Sequence, residues 1–230
     1  MKVIAFDTSN QPLSVALFED VAKNHSVQLL PFIDELVKSA GWAPADLDRV
    51  VVSQGPGSYT GLRIAVTTAK TLAFTLGIEL VGISSLGLLA TNVTTPGVTI
   101  VPVMDARNAN LYAGQYELRD GKYVATAPDR HTNVPDLISQ LAEENQQVVF
   151  VGEWARFEEE LRQALPDAQF ASDNLPHAAN VLPLVTDAQV LTDMTDIHQF
   201  VPNYYRLSQA EADWAKAHPD AGDGVYVEKV

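Results

Sequence analysis

Two stretches of this 230-residue sequence place a carboxylate directly after an apolar segment. Asp7 ends KVIAFD and is followed by Thr8 and Ser9, and Asp105 ends TIVPVMD. Oxygen ligands in such turns can organise Mg²⁺, and the backbone N–H groups of the turns can face phosphates. The same residues can instead simply stabilise a turn through side-chain-to-backbone hydrogen bonds. The residues alone leave a magnesium–phosphate site and an ordinary turn as alternatives.

A glycine-rich loop, QGPGSYTGLR, lies between an apolar strand and a long helix. Its glycines, Gly55, Gly57 and Gly61, have the composition of a phosphate-binding loop. However, the loop ends in Gly-Leu-Arg and not in the Gly-Lys-Ser/Thr of a P-loop, and it misses the G-x-G-x-x-G spacing. Pro56 also removes one backbone donor. We therefore interpret the three glycines as structural residues of a sharp strand-to-helix turn.

Other catalytic patterns are absent from the sequence. The five histidines are scattered, without His-Glu-x-x-His or an i, i+4 pair, so we expect no metal site. There is no cysteine, which excludes disulfides and thiolate ligands, and there is no G-x-S-x-G nucleophile elbow.

The charge balance argues against direct binding of nucleic acid. The formal net charge is −14, from 15 Lys plus Arg against 29 Asp plus Glu, and such a field repels phosphates. A role near RNA would need a partner that supplies the positive surface. The start of the sequence, MKVIAFDTS, predicts a strand and not a secretory signal, and we expect a cytoplasmic protein without a membrane span.

Hydrophobic periodicity predicts an α/β order that occurs twice. The first round has strands at 2–6, 13–19, 49–54 and 79–83, helices at 26–40 and 62–76, and a short helix from about residue 84. The second round has strands at 98–105, 110–118 and 147–152 and helices at 134–145 and 154–165. A further helix is predicted at 177–191, and an extended segment leading into a helix at 202–214.

The two rounds also resemble each other in sequence. DTSNQPLSVALFE, from Asp7, aligns without a gap with DARNANLYAGQYE, from Asp105, at an offset of 98 residues. Chance similarity between two hairpins is the alternative. We favour a duplicated architecture, with one α/β subdomain at 1–97 and another at 98–230, whose last segment packs back on the first half.

The predicted helix at 62–76 is almost uncharged and must be buried on most sides. Ala65, Ala69 and Ala73 form a strip without bulk, which allows the close approach of another backbone. The cover could come from the helix at 26–40 or from a second subunit.

Several segments resemble the TsaB (YeaZ) family. These are FDTS, HSVQLLPFIDEL, SQGPGSYTGLRI, TAKTLAFTLGIELVGISSL, DARNANLYAGQY and VPNYYRLSQAE, which together run along nearly the whole chain. The resemblance implies two tandem subdomains of the actin, sugar-kinase and heat-shock-ATPase (ASKHA, RNase H-like) fold, each with a mixed central sheet.

The resemblance also implies a function without catalysis in this chain. Family members act in threonylcarbamoyladenosine modification of tRNA as partners of the catalytic paralogue TsaD and of the ATPase TsaE. The implied partner surface consists of Leu29, Leu30, Ile33, Leu36, Ala65, Ala69 and Ala73. It implies a homodimer when the chain is alone, only indirect contact with tRNA, and Mg-ATP only in the complex, with Asp7, Thr8, Ser9 and Asp105 as a vestigial nucleotide and magnesium site.

One departure from the family concerns the segment after Glu19. Family members usually have a third strand there, but in this chain only DVAKN separates Glu19 from His25. Loss of that strand would bare a sheet edge, so we expect a stretch to have been omitted from the sequence.

Two other functions remain as alternatives. One is a nucleotide-dependent kinase or ATPase that uses Asp7 and Asp105, and the other is a glycoprotease-like peptidase. The absence of a nucleophile and a metal motif disfavours the peptidase most.

Overall fold

The first half alternates strands and helices around one sheet. The structure is a computed structural model that describes residues 1–10, 14–16, 25–142, 147–186 and 188–206. The elements of the first half are β1 (Val3–Asp7), β2 (Ser14–Ala16), α1 (His25–Ser39), β3 (Arg49–Gly55), α2 (Tyr59–Leu76), β4 (Glu79–Ser84) and α3 (Ser85–Ala90).

The second half repeats this plan with an additional long strand. Its elements are β5 (Thr99–Arg107), β6 (Asn110–Arg119), β7 (Lys122–Asn133), α4 (Val134–Ala142), β8 (Val148–Gly152), α5 (Glu158–Ala164) and β9 (Gln169–Phe170). The chain then continues through α6 (Leu182–Val185), β10 (Val190–Leu191) and α7 (Met194–Gln199). Because β10 pairs with β4, this last part lies against the first half.

The described strands form two five-stranded mixed sheets, ordered β10-β4-β3-β1-β2 and β7-β6-β5-β8-β9. In the first half, β1 pairs antiparallel with β2 on one side and parallel with β3 on the other. In the second half, β5 pairs in the same way with β6 and β8. The order β2-β1-β3-β4 thus recurs as β6-β5-β8-β9, so the two halves share one topology. The ungapped offset is one residue out at the second strand, since Ala5 pairs with Ala16 but Val103 pairs with Ala113 and not with Gly114.

Helix α2 has clear local signals at both ends. The Ser58 side chain accepts a hydrogen bond from the Gly61 N–H at 3.4 Å, as an N-cap residue does. Gly77 ends the helix with φ of 66°, a left-handed conformation that glycine adopts without cost. The helix therefore begins at Tyr59, three residues before the predicted start, because the cap lies inside the glycine-rich loop.

Two sequence predictions need correction in the second half. The predicted helix at 177–191 is instead a 3₁₀ turn, the short α6 and the strand β10. Pro183 lies in the first turn of α6 and does not extend the helix, and pairing with β4 decides the conformation of Val190. The predicted helix at 154–165 starts with a 3₁₀ turn at Trp154–Phe157.

Strand β7 was not predicted from the sequence. It contains Pro128 and several charged residues, and most of its side chains are half-buried or exposed. A proline is tolerated because β7 is an edge strand, and one side of its backbone has no neighbouring strand to hydrogen-bond.

The expected omission after Glu19 lies outside the described residues. Within the described ranges, no helix is long and apolar enough to cross a membrane.

Candidate functional site

The glycine-rich loop packs directly on the turn that follows β1. The Ser58 N–H donates to the Ser9 carbonyl at 2.8 Å, and the Thr8 hydroxyl donates to the Gly61 carbonyl at 2.7 Å. A Cβ on Gly57 would lie 2.5 Å from the Ser9 carbonyl oxygen, and one on Gly61 would overlap the Thr8 carbonyl. These two glycines therefore allow two backbones to touch.

Gly55 serves a different contact, with a segment near the C-terminal end of the described chain. We call residues 201–206 the strap. The Asn203 N–H donates to the Gln54 carbonyl at 2.8 Å, and the Gln54 amide donates to the Val201 carbonyl at 2.9 Å. A Cβ on Gly55 would lie 2.5 Å from the Asn203 carbonyl oxygen, so glycine is required for the strap to lie there.

The strap also reaches the second half. The Arg206 guanidinium donates to the Ala106 carbonyl at 2.8 Å. Tyr204 stacks on Tyr59 at the start of α2, with ring centroids 4.9 Å apart. Burial raises the pKa of Tyr205. The strap is thus hydrogen-bonded to the end of β3 on one side and to the end of β5 on the other.

A cleft of about 1130 Å³ lies between the halves. Its walls are the turn at 8–10, the glycine-rich loop, residues 104–108 of the second hairpin, and 203–206 of the strap. Thr8, Ser9 and Asp105, predicted from the sequence as site residues, are brought together here. Asp7 is fully buried behind the turn and does not line the cleft.

Asp7 is bonded within its own turn. Its carboxylate accepts hydrogen bonds from the Ser9 hydroxyl at 2.7 Å and from the Ser9 N–H at 3.3 Å. This is the arrangement expected of an aspartate that stabilises a turn.

Asp105 is neutralised by a cation of the chain itself. The Arg156 guanidinium lies 2.7 Å from its carboxylate, which also accepts the Arg107 N–H at 2.8 Å. The Glu153 carboxylate accepts the Asp105 N–H at 2.6 Å. In the part of the chain that the structure describes, no group of three or more His, Asp or Glu residues could hold a metal ion. These residues do not fit a magnesium site.

The cleft wall of the second half carries charges of both signs, since Asp105 and Glu153 line it as well. Arg107 and Arg206 both line it, and Arg107 belongs to a turn in which three consecutive non-glycine residues, Arg107–Ala109, have positive φ. Such backbone costs about 1 kcal/mol or more per residue. The pKa of the nearby His131 is lowered, first by burial and then by the charge of Arg206.

The residues expected at a partner surface divide into two sets. Leu30 is 55% exposed and Leu36 is half-buried, but the others are buried in the core of the first half. The buried set consists of Leu29, Ile33, Ala65, Ala69 and Ala73. The alanine strip packs against the chain's own core, because the sheet and α1 cover it.

The opposite side of α2 is exposed. Tyr59, Arg63, Thr67, Thr71 and Phe74 follow at intervals of four, four, four and three residues, and all are exposed. We call these five residues the outward stripe. It extends over about 22 Å at 1.5 Å per residue, carries one charge, and ends at Phe74, which is 64% exposed.

A partly buried polar cluster between the halves was missed by sequence reasoning. The Asp129 carboxylate accepts hydrogen bonds from the Ser84 hydroxyl at 2.5 Å and from the Tyr116 hydroxyl at 2.7 Å. Burial raises the pKa of Asp129, while the two hydrogen bonds oppose that rise. Gly114 leaves the space for the carboxylate. No sequence signal announces the cluster, because its members are ordinary residues far apart in the chain.

Two α/β halves with one strand order, facing each other across a cleft, define a protein of the ASKHA, RNase H-like class. Two solved Pseudomonas aeruginosa structures have this fold with a TM-score of 0.69 each. One, described as an uncharacterized protein similar to the peptidase YEAZ, is 25% identical and covers 89% of this chain and 99% of its own. The other, YeaZ, is 24% identical and covers 88% and 98%.

Sequence comparison gives the family. The family model described as TsaD, tRNA N6-adenosine threonylcarbamoyltransferase, matches residues 18–214. The tRNA threonylcarbamoyladenosine biosynthesis protein TsaB of Bacillus subtilis is 35% identical, over 94% of this chain and 99% of its own length. The chain belongs to the TsaB family, within the wider family that the TsaD model describes.

Proposed function

We propose that this chain acts in the biosynthesis of threonylcarbamoyladenosine in tRNA as a non-catalytic partner of its TsaD paralogue and of TsaE. Membership of the TsaB family supports the pathway. The state of the cleft supports the non-catalytic role, since Asp7 is bonded within its turn and Asp105 is paired with Arg156.

The observation that carries the partner role is the outward stripe of α2. An exposed helix face with a single charged residue is unusual on a chain of net charge −14, because solvent-facing helix positions are normally charged. The stripe and the exposed Leu30 of α1 form the surface we assign to TsaD, and to a second copy of the chain when TsaD is absent. Contact with tRNA is left to the partners, in keeping with the net charge.

Reconstitution tests the function. The purified chain is combined with TsaD, TsaE, the enzyme that makes threonylcarbamoyl-AMP, and unmodified tRNA, and the modified nucleoside is measured by mass spectrometry. We expect modification to need this chain in every cycle. Unchanged modification after its omission would contradict the proposal.

A surface substitution tests the assigned face. Phe74→Glu places a charge within an apolar contact, and we expect it to weaken TsaD binding at least about tenfold and to convert a homodimer into a monomer. Leu182→Glu, at a leucine of α6 that is 51% exposed, is the matched control. Calorimetry with TsaD and sedimentation of the chain alone are the measurements. Equal effects of Phe74→Glu and Leu182→Glu on TsaD binding would contradict the assignment of this surface to TsaD.

A nucleotide-dependent enzyme is the weaker candidate, favoured only by the size of the cleft. Trp154, two residues after Gly152, does not line the cleft. Its indole N–H donates to Asn174 at 3.0 Å, and its ring packs on Phe170. Calorimetry with Mg-ATP on the wild type and on Asp7→Ala decides between the two. Tight binding that is lost in the variant would favour the enzyme.

A further inference from the structure

We propose that Tyr59, Arg63 and Tyr204 form a docking corner for a segment of a protein partner that carries a carboxylate beside a flat or apolar side chain. The inference rests on the proposed function, whose partner is the TsaD paralogue. It adds a contact at the N-terminal end of α2, built jointly by the helix and the strap, and states the chemistry that this contact requires of the partner.

The three side chains of the docking corner already contact one another in the free chain. The Arg63 guanidinium donates to the Tyr59 hydroxyl at 2.8 Å, and its central carbon lies 5.4 Å from the centre of the Tyr59 ring. Tyr204 stacks on Tyr59 with an angle of 27° between the ring planes. Even so, Tyr59 is 46% exposed and Tyr204 is 45% exposed. Tyrosine and arginine are among the residue types most enriched at energetic centres of protein interfaces.

The charge of Arg63 indicates what the partner supplies. In the described part of the chain, four other arginines hold a carboxylate within ion-pair distance; these are Arg49, Arg119, Arg156 and Arg162. Arg63, like Arg107, Arg130 and Arg206, has none among the described ion pairs, and of these four it is the one that lies on the outward stripe. A carboxylate of the partner would complete the remaining donors of its guanidinium in a charge-assisted hydrogen bond.

The strap fixes Tyr204 before any partner arrives. Its backbone is hydrogen-bonded to Gln54 through Asn203 at 2.8 Å and through Val201 at 2.9 Å. The Arg206 side chain is hydrogen-bonded to the Ala106 carbonyl of the second half at 2.8 Å. A side chain that is already held in place loses little conformational entropy on binding. The docking corner is therefore preorganised, which distinguishes it from scattered surface tyrosines.

A protein segment fits the docking corner better than RNA does. Exposed tyrosine rings and an arginine can also stack bases, but RNA binding depends on several phosphates being neutralised. Arg63 is the single charged residue of the outward stripe, and the chain as a whole repels polyanions.

Calorimetry with purified TsaD and the full chain tests the inference. We expect Arg63→Glu and Tyr204→Ala each to weaken binding at least about tenfold, since one places like charges together and the other removes the stacked ring. Tyr204→Phe keeps the ring and should bind as the wild type does. Arg162→Glu, which makes the same charge change on α5, is the control. Thermal melts of each variant establish that it is folded.

Each outcome decides the question. Wild-type binding that neither Arg63→Glu nor Tyr204→Ala alters would overturn the docking corner and leave the proposed function standing. Failure of the wild type to bind TsaD would remove both. Direct binding of a tRNA transcript to the wild type, lost in Arg63→Glu, would assign the docking corner to RNA and overturn the inference. Because Arg63 is exposed and outside the core, its substitution tests the proposal even if Tyr204→Ala does not fold.

Discussion

At the scale of single residues, the glycines of QGPGSYTGLR are explained by what lies beside them. Gly57 and Gly61 allow the backbone of the turn after β1 to approach closely, and Gly55 does the same for the backbone of the strap. The sequence predicted structural glycines because the lysine and the glycine spacing of nucleotide loops are missing. It could not predict which backbones they admit, since those contacts join residues about 50 and 150 positions apart.

Gly61→Ala is expected to destabilise the protein. Alanine favours a helix over glycine by about 1 kcal/mol, but the new Cβ would overlap the Thr8 carbonyl, and backbone cannot move aside as a side chain can. Overpacking of this kind costs about 1–3 kcal/mol, and the weakened Thr8 hydrogen bond about 1 more. We expect a net loss of about 1–3 kcal/mol in the free energy of unfolding, measured in urea.

Gly87→Ala is the control for this substitution. Its Cβ would meet only side-chain atoms, the nearest being the Ser84 Cβ at 3.3 Å. We expect a smaller loss than at Gly61. A Gly61→Ala variant as stable as the wild type would show that the turn after β1 can shift.

At the scale of elements, α2 shows where periodicity succeeds and where it does not. Its length, its apolar character and its alanine strip are visible in the sequence. The sequence does not show which side of the helix faces the core, because both the alanines and the threonines are small and uncharged. The structure buries Ala65, Ala69 and Ala73 and exposes the outward stripe. Helix α7 adds a second cover, since Ile197 belongs to the core cluster that contains these alanines.

Ile197→Ala is expected to destabilise the first half. The side chain is almost fully buried, and its truncation leaves a cavity that costs about 2–5 kcal/mol. Met194→Ala, in the same helix at an exposed position, should change the stability by less than about 0.5 kcal/mol. Urea unfolding gives both values, and amide exchange in α2 should accelerate only in Ile197→Ala. Similar values for the two variants would contradict the packing of α7 on this core.

At the scale of the whole molecule, the two halves are joined by the strap and by the Asp129 cluster. Ser84 comes from the end of β4, Tyr116 from β6 and Asp129 from β7, so the three side chains connect the first sheet with the second. Tyr205 of the strap faces the same carboxylate, whose negative charge raises the pKa of Tyr205 further after burial.

The stability of the protein should depend on pH through Asp129. Its pKa is raised from 3.8, so the native state holds the proton more tightly than the unfolded chain does. The resulting stability is present below about pH 4 and is lost as pH rises through the raised pKa. We therefore expect the unfolding free energy of the wild type, relative to Asp129→Asn, to fall from pH 4 upward and then level off.

Urea titrations across this pH range measure the difference. Asp34→Asn, which removes an exposed carboxylate of α1, is the control for the lost charge. A difference between wild type and Asp129→Asn that does not vary with pH would show that the cluster does not take up a proton on folding.

The sequence by itself determined the α/β order, its repetition, the two hairpin carboxylates and the family, because these depend on local periodicity, turn chemistry and short motifs. Only the tertiary structure decided that Asp105 is paired with Arg156, that the alanine strip is internal, and that the strap joins the halves. The physical reason is the same in each case. Burial and partner choice depend on which distant segments meet, and segments of similar composition can meet in many ways until the whole chain is packed.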